Sequence, residues 1–484
     1  MIKKNIFYSL LINLLNLGYP LISFTYVARI LNPEGIGVFN YALSIVGYFF
    51  VFSNLGIPRI APVEIGRVKD NEAKLKLKIN GYYSLNIITS SIVLFAYLIL
   101  VLCFTDYKSS LQTLLFIFSI QIISNCVGLD WLMQGMLHFK QLVVRDLLVK
   151  IGSLVLLFML IKSKTDILVY GLLYIFSTFI SSLVNYIYLK NKYKISFGIH
   201  YIKKNIDLRQ LVVKVFPISI LTTIYLFFDT TLAGYFLPMR EVGLYSFAIK
   251  IIRIFLLIFD SIFVVLTPVL AHKIANTEKI RELNSTFNIV ISNLFGLFLP
   301  LSLVILLFSN SIVYFLGGIN FIDSAFYLKC LVPMSFFYIY SSIIGSQLLY
   351  NIGKLNAIRN ILFFVLLVSI LLGLFIINIY KILGVIIIIN FAFLLLSVLY
   401  YYYATKFIKG IVLFSFKNTY KYILSAFIPY FLFCFFIKYI SDQNIIVNTV
   451  LVITYLLAYI FFLIVFKEKQ FTTHISFVLN KIKK

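Results

Sequence analysis

The apolar stretch 242–268 carries three ionisable side chains, Lys250, Arg253 and Asp260. At about 100° per residue, Arg253 lies about 60° and Asp260 about 80° around a helix from Lys250, so one stripe holds all three. The preceding apolar stretch, 210–236, carries Asp229, which comes within reach of Lys250 if the two stretches fold back as a hairpin. An ionisable group in a lipid-spanning helix costs roughly 2.5–3.5 kcal/mol on insertion scales, so those that remain face protein or a water-filled cavity. Two chemistries are open. Asp229 and Lys250 can neutralise one another as a structural ion pair, or Lys250 and Arg253 can present positive charge to a cavity and hold an anionic ligand.

A second polar cluster gathers where the fourth apolar stretch ends and the fifth begins: Asp130, Trp131, Gln134, Lys140, Arg145, Asp146 and Lys150. Asp130 with Arg145 or Lys150 reads as a helix-end salt bridge or as a gate, and Lys150 joins Lys250 and Arg253 among the candidate cavity cations. Arg29, at an outer rim, completes that set, while Asp260 joins the ion-pair candidates. Trp131 alone is ordinary interfacial chemistry. Lys214 and Lys329 sit at the ends of apolar stretches, where long side chains snorkel to the surface. Asn13, Asn16, Asn40, Asn54, Asn80, Asn86 and Asn125 are numerous for such stretches, as helix-to-helix glue or as partners for sugar hydroxyls.

Other chemistry is not indicated. Cys103, Cys126, Cys330 and Cys434 all lie inside apolar stretches without paired spacing, which favours buried free thiols over disulfides or metal. His138, His200, His272 and His474 are scattered. No phosphate-binding glycine loop followed by lysine occurs, so the chain is not expected to hydrolyse a nucleotide. No catalytic residue, metal or cofactor is expected.

The elements that must position these residues are membrane helices. The chain is 62% hydrophobic with a mean hydropathy of +1.01, and a helix needs about 20 apolar residues to cross the hydrocarbon core. Apolar stretches at 6–29, 37–58, 80–104, 111–134, 145–161, 166–189, 210–236, 242–268, 286–308, 325–349, 356–377, 382–404, 418–438 and 446–466 predict an all-α integral membrane fold of about 14 transmembrane helices. Most of the 42 Lys and Arg residues fall on one side if both termini are cytoplasmic, which sets the orientation in an inner-type membrane. The net charge of +25 then reflects topology and anionic headgroups rather than nucleic acid. The first stretch is too long for a signal peptide and lacks a small-residue cleavage site. In the tail, Phe471, Ile475, Val478 and Ile482 make an apolar stripe among lysines, suited to lying on the inner leaflet.

The first two apolar stretches align with the seventh and eighth without a gap. Leu31 meets Leu237, Gly37 meets Gly243, Ala42 meets Ala248, Phe49 meets Phe255 and Pro62 meets Pro268. An internal duplication in the same orientation predicts two pseudo-symmetric six-helix lobes around an axis along the membrane normal. The expected organisation is an N-lobe at 1–189, a cytoplasmic link at 190–209, a C-lobe at 210–404, two extra helices at 405–466 and a basic tail at 467–484. Two such lobes favour alternating access over a continuous pore. The equivalents of Lys250 and Arg253 are Ser44 and Gly47; a pure folding requirement would be expected in both copies, so this asymmetry leans toward ligand binding. The turn Leu31-Asn-Pro-Glu-Gly-Ile-Gly37 predicts a tight outer hairpin, with its glycines taking any unusual backbone angles.

Tyr19-Pro20, the segment Arg29-Ile-Leu-Asn-Pro33-Glu34-Gly35-Ile-Gly37, Asp130-Trp131 with Gln134-Gly135, Phe139-Lys140 and Arg145, and Asp229 followed by Val242-Gly243, Tyr245, Ala248 and Lys250 together resemble the polysaccharide-export branch of the multidrug/oligosaccharidyl-lipid/polysaccharide exporter superfamily. Wzx-type O-antigen and capsule repeat-unit flippases are the nearest match, over essentially the whole chain. The resemblance implies a non-enzymatic transporter that flips an undecaprenyl-diphosphate-linked oligosaccharide to the outer leaflet, drawing on an ion gradient, with polymerase or export proteins as partners. The diphosphate would need cations and the sugars polar groups. The resemblance also implies a groove for the lipid tail at the two extra helices, as in related lipid II flippases. A multidrug antiporter of the same superfamily would usually carry acidic residues in the N-lobe, and the first three stretches have none in their apolar cores. A polysaccharide polymerase would need a long outer loop, and the longest expected here is Ser309 to Ser324.

Overall fold

The computed structural model describes residues 2–103, 109–205, 207, 210–276, 280–408, 416–437, 445–466 and 468, with side chains described from Gly18 onward except at some helix positions. The tail stripe at Phe471 to Ile482, the side chains of Asn13 and Asn16, and part of the 190–209 link lie outside the described residues. Among those described, every regular element is a helix, because a chain this apolar can satisfy its backbone in lipid only within helices or closed barrels.

The elements run α1 (Ile2–Asn54), α2 (Ile57–Val68), α3 (Glu72–Cys103), α4 (Ser110–Val127), α5 (Asp130–Gly135), α6 (Phe139–Leu160), α7 (Ile167–Tyr193) and α8 (Ile199–Asn205). After a π-helical turn at Gln210–Val215 come α9 (Phe216–Phe236), α10 (Met239–Asn276), α11 (Ile280–Gly317) and α12 (Ser324–Ser342), which passes into a second π-helical segment, Ile343–Leu349. The last three are α13 (Leu355–Phe407), α14 (Phe416–Ile437) and α15 (Ile445–Val465).

Among the described residues, ten helical stretches are long and apolar enough to cross a membrane, and α1 and α13 each carry two of the apolar runs. Four charges keep α6 outside that set, and α14 shows a further apolar run, Thr419–Phe435, among the residues described.

Helix α1 breaks at Asn32 (φ 61°, ψ 171°), and α13 breaks at Lys381 (φ 52°, ψ −129°). The positive φ therefore falls on Asn32 rather than on the turn's glycines. Asparagine tolerates the left-handed region better than most residues, which leaves Gly37 available for a close approach instead.

The chain divides into two compact units, Met1–Ser246 with Ile370–Val385, and Phe247–Ser369 with Ile386–Lys484. In the first, α1 packs on α3, α4, α6 and α9, and α4 packs on α7. In the second, α11 packs on α12, α14 and α15. The expected six-helix lobes are a statement about symmetry, which a division by packing does not address.

Asn86 and Asn125 sit at the core of the first unit. Asn125 Nδ2 donates to Ser53 Oγ (3.1 Å), Asn86 Oδ1 (2.9 Å) and Ser90 Oγ (3.0 Å), and Asn86 Nδ2 donates to the Asn125 carbonyl (2.5 Å). These four side chains are buried, so here the asparagines join α1, α3 and α4 rather than face a ligand. Asn80, also buried, holds Ser196 through both its amide groups (3.0 Å each), docking the segment after α7 onto α3.

Candidate functional site: a polar cavity in the first unit

The short helix α5 presents Asp130 and Gln134, and α6 presents Arg145, Asp146 and Lys150. Helix α7 faces them with Tyr174, Ser177, Thr178, Ser181 and Ser182, and α1 contributes Tyr19 and Pro20. Together they line a cavity of about 700 Å³, within the roughly 300–1,000 Å³ of small-molecule sites. A polar cavity of this size within an apolar helical unit requires an explanation, because unsatisfied polar groups are costly in low-dielectric surroundings.

Arg145 organises the site. Its side chain is 7% exposed and sits between two carboxylates, with Nη1 2.7 Å from Asp130 Oδ1 and Nη2 2.6 Å from Asp146 Oδ1. Nε also donates to Asp146 Oδ1 (3.0 Å), Nη2 to Asp130 Oδ2 (3.5 Å), and Nη1 to the Ser181 carbonyl (3.4 Å). Asp130 in turn accepts from Asn185 Nδ2. The bridge expected from the sequence between Asp130 and Arg145 is thus formed. Lys150 stands one turn beyond Asp146 on α6, half-buried in the cavity wall.

Trp131 lies between the lining residues Asp130 and Gln134. It is 4% exposed and packs edge-on against Tyr82 at 5.8 Å, so it is a core residue rather than an interfacial one. Outside the lining residues, just before α6, His138 Nε2 lies 3.1 Å from both Lys192 Nζ and Tyr193 Oη. Burial pushes the imidazole pKa down first, and the Lys192 charge adds to it.

The other sequence-predicted residues fall elsewhere. Asp229 on α9 is 1% exposed and accepts from Tyr245 Oη at 2.7 Å and Thr230 Oγ1 at 3.4 Å. It belongs to the first unit and Lys250 to the second, and their pairing stays an expectation. Lys250, Arg253 and Asp260 are half-buried on α10. Asp260 accepts from Tyr338 Oη through both oxygens, at 3.0 and 3.1 Å. Arg29 is exposed. The structure thus groups Asp130, Arg145 and Lys150 in one cavity and does not bring Arg29 into it. The α7 hydroxyls and Asn185 escaped sequence reading, since serine, threonine and asparagine in a membrane helix usually bond their own or a neighbouring helix. Their repeat along one face of α7 was the available signal.

A family model described as polysaccharide biosynthesis protein matches residues 2–274. A candidate O-antigen transporter of Escherichia coli K12 is 24% identical over 170 residues, covering 35% of this chain and 41% of its own length. One of Shigella flexneri is 23% identical over 347 residues, covering 69% and 80%. The match to the first spans less than half of that relative. Among solved structures, the lipid II flippase MurJ in an inward closed conformation superposes with a TM-score of 0.69 at 17% identity, over 95% of this chain and 98% of that one. An outward-facing multidrug resistance MATE family transporter of the MOP superfamily gives 0.58 at 16% identity, over 84% and 96%. These two likenesses establish the fold, and the family model, which covers more than half of the 484 residues, establishes that this multi-pass membrane chain belongs to the polysaccharide biosynthesis protein family.

Proposed function

We propose that the protein is a flippase that moves a lipid-diphosphate-linked oligosaccharide from the cytoplasmic to the outer leaflet of the bacterial inner membrane by alternating access, supplying O-antigen, capsule or exopolysaccharide assembly. The observation that carries this reading is the large, charged and hydroxyl-lined cavity inside an apolar helical unit, in a chain of the polysaccharide biosynthesis family. A prenyl tail can stay in lipid, while a glycan cannot cross hydrocarbon without such a polar path. In this reading Lys250 and Arg253 hold the diphosphate, an ion gradient drives the cycle, and polymerase and export proteins take over the product. Both termini and the 190–209 link are cytoplasmic.

A null strain tests it. It should accumulate lipid-linked oligosaccharide on the cytoplasmic leaflet and lose surface polysaccharide, and proteoliposomes containing this protein alone should move that lipid. Efflux of cationic dyes from such proteoliposomes, with no movement of the lipid-linked sugar, would replace the reading with a drug exporter of the same fold. Orientation is checked at Asn191, an exposed position just before the end of α7. Asn191→Cys, in a chain whose four native cysteines are replaced, should resist an impermeant thiol reagent in intact cells.

A further inference from the structure

The cavity of the first unit is charge-balanced: Arg145 and Lys150 face Asp130 and Asp146. Arginine has five N–H donors and no acceptor. In this cavity Arg145 makes five contacts, four with the two carboxylates and one with the Ser181 carbonyl. A phosphate could recruit that guanidinium only by prising it from both carboxylates, leaving two anions beside a third, which costs far more than a new bridge returns. The opposite wall carries hydroxyls with acceptor capacity. Ser177 and Thr178 donate to the carbonyls of Tyr174 (2.8 Å) and Ile175 (2.7 Å) in their own helix, so their oxygens keep lone pairs for a donor in the cavity. The carboxylates offer further acceptors, and Tyr19 and Tyr174 are among the lining residues. Many acceptors, fixed charge of zero net sign and two tyrosines in the lining suit a polyhydroxylated pyranose ring, which donates from every hydroxyl and presents apolar C–H faces.

We infer that this cavity takes uncharged sugar residues of the lipid-linked glycan rather than its diphosphate. The inference rests on the flippase reading above and divides the substrate: glycan in the α5–α6–α7 cavity of the first unit, diphosphate at cations elsewhere. It also moves Lys150 out of the anion-binding set, because its charge is part of a balanced group.

The probe is the oligosaccharide released by mild acid from the lipid that the null strain accumulates, with inorganic pyrophosphate as the anionic counterpart. Both are titrated by calorimetry into the purified full-length protein, alongside Trp131 emission, which reports on this cavity because Trp131 is the sole tryptophan and lies between two lining residues. The glycan should bind and lose affinity roughly tenfold or more in Asp146→Asn, the effect of one charge-assisted hydrogen bond. Thr178→Val, a milder change on the opposite wall, should weaken it in the same direction. Pyrophosphate affinity should be unmoved by Lys150→Gln. Glycan affinity unchanged in both wall variants, or pyrophosphate binding lost in Lys150→Gln, would overturn the assignment. A null strain that accumulates no lipid-linked sugar would instead remove the flippase reading itself, so the two failures are distinguishable.

Discussion

Gly37 and Gly243 meet each other through equivalent turns of the chain. A Cβ on Gly37 would lie 1.9 Å from the Met239 carbonyl oxygen and 2.9 Å from the Gly243 nitrogen; a Cβ on Gly243 would lie 1.7 Å from the Pro33 carbonyl oxygen and 3.0 Å from the Gly37 nitrogen. Pro33 aligns with Met239 as Gly37 aligns with Gly243, so each copy of the turn touches the other in the same way. This reciprocal contact is what a two-fold relation between duplicated segments produces.

Neither glycine has room for a methyl group, because the obstructing atoms are backbone. Gly37→Ala and Gly243→Ala should each cost at least the roughly 1–3 kcal/mol of an overpacked core. Lower membrane abundance and an earlier thermal transition in detergent are the expected readings. Gly152→Ala, where nothing lies within 4 Å of the added atom, is the control and should be silent.

Removing Arg145 leaves two carboxylates facing one another. Arg145→Gln should destabilise the protein by up to about 3–5 kcal/mol, the cost of breaking a buried pair, reduced because the Asp130 side chain is 53% exposed while Asp146 is 15% exposed. The double change with Asp146→Asn should recover most of the lost abundance, and recovery no better than with Asp130→Asn would show that the buried partner is not the dominant one.

Lys250→Ala and Arg253→Ala should abolish surface glycan at normal abundance. Asp229 has a donor of its own in Tyr245 at 2.7 Å, so loss of Lys250 does not leave that carboxylate without a hydrogen bond. Tyr245→Phe, by contrast, removes a buried donor and should lower stability by about 1–3 kcal/mol. Glycan export that persists in both cation variants at normal expression would exclude them from the substrate site.

Acid should loosen the contact at His138. Its folded pKa is depressed below the ordinary value by burial and by Lys192, so folding binds fewer protons than the unfolded chain. The stability it contributes is present above the unfolded pKa of about 6.5 and is lost as pH falls through the lower folded value. A thermal midpoint followed from pH 7.5 to 5 should drop more in the wild type than in His138→Gln.

Asn125 ties three helices through one amide. Asn125→Ala leaves Ser53, Asn86 and Ser90 short of a buried partner and should cost roughly 1–3 kcal/mol or more. Thermal denaturation of the purified protein checks this, and an unchanged midpoint would mean that the network is replaced by water.

The membrane class, the helical content and the positions of the apolar runs were legible in the sequence because lipid imposes one simple rule, about 20 apolar residues with all backbone groups bonded internally. Periodicity also placed Lys250, Arg253 and Asp260 on one face of α10, since helical geometry is local. The alignment of Gly37 with Gly243 was visible too, but not that a Cβ on either would run into a backbone carbonyl of the other turn, Met239 or Pro33; that depends on backbone approach between distant segments. Tertiary packing alone decided that Asp130 pairs with Arg145, that Trp131 is buried, and that Asn86 and Asn125 bind helices together. It also turned the hydroxyl face of α7 toward α5 and α6. A serine or a carboxylate reads the same in sequence whether it faces lipid, a neighbouring helix or a cavity, and only the arrangement of helices around it sets which of these it meets.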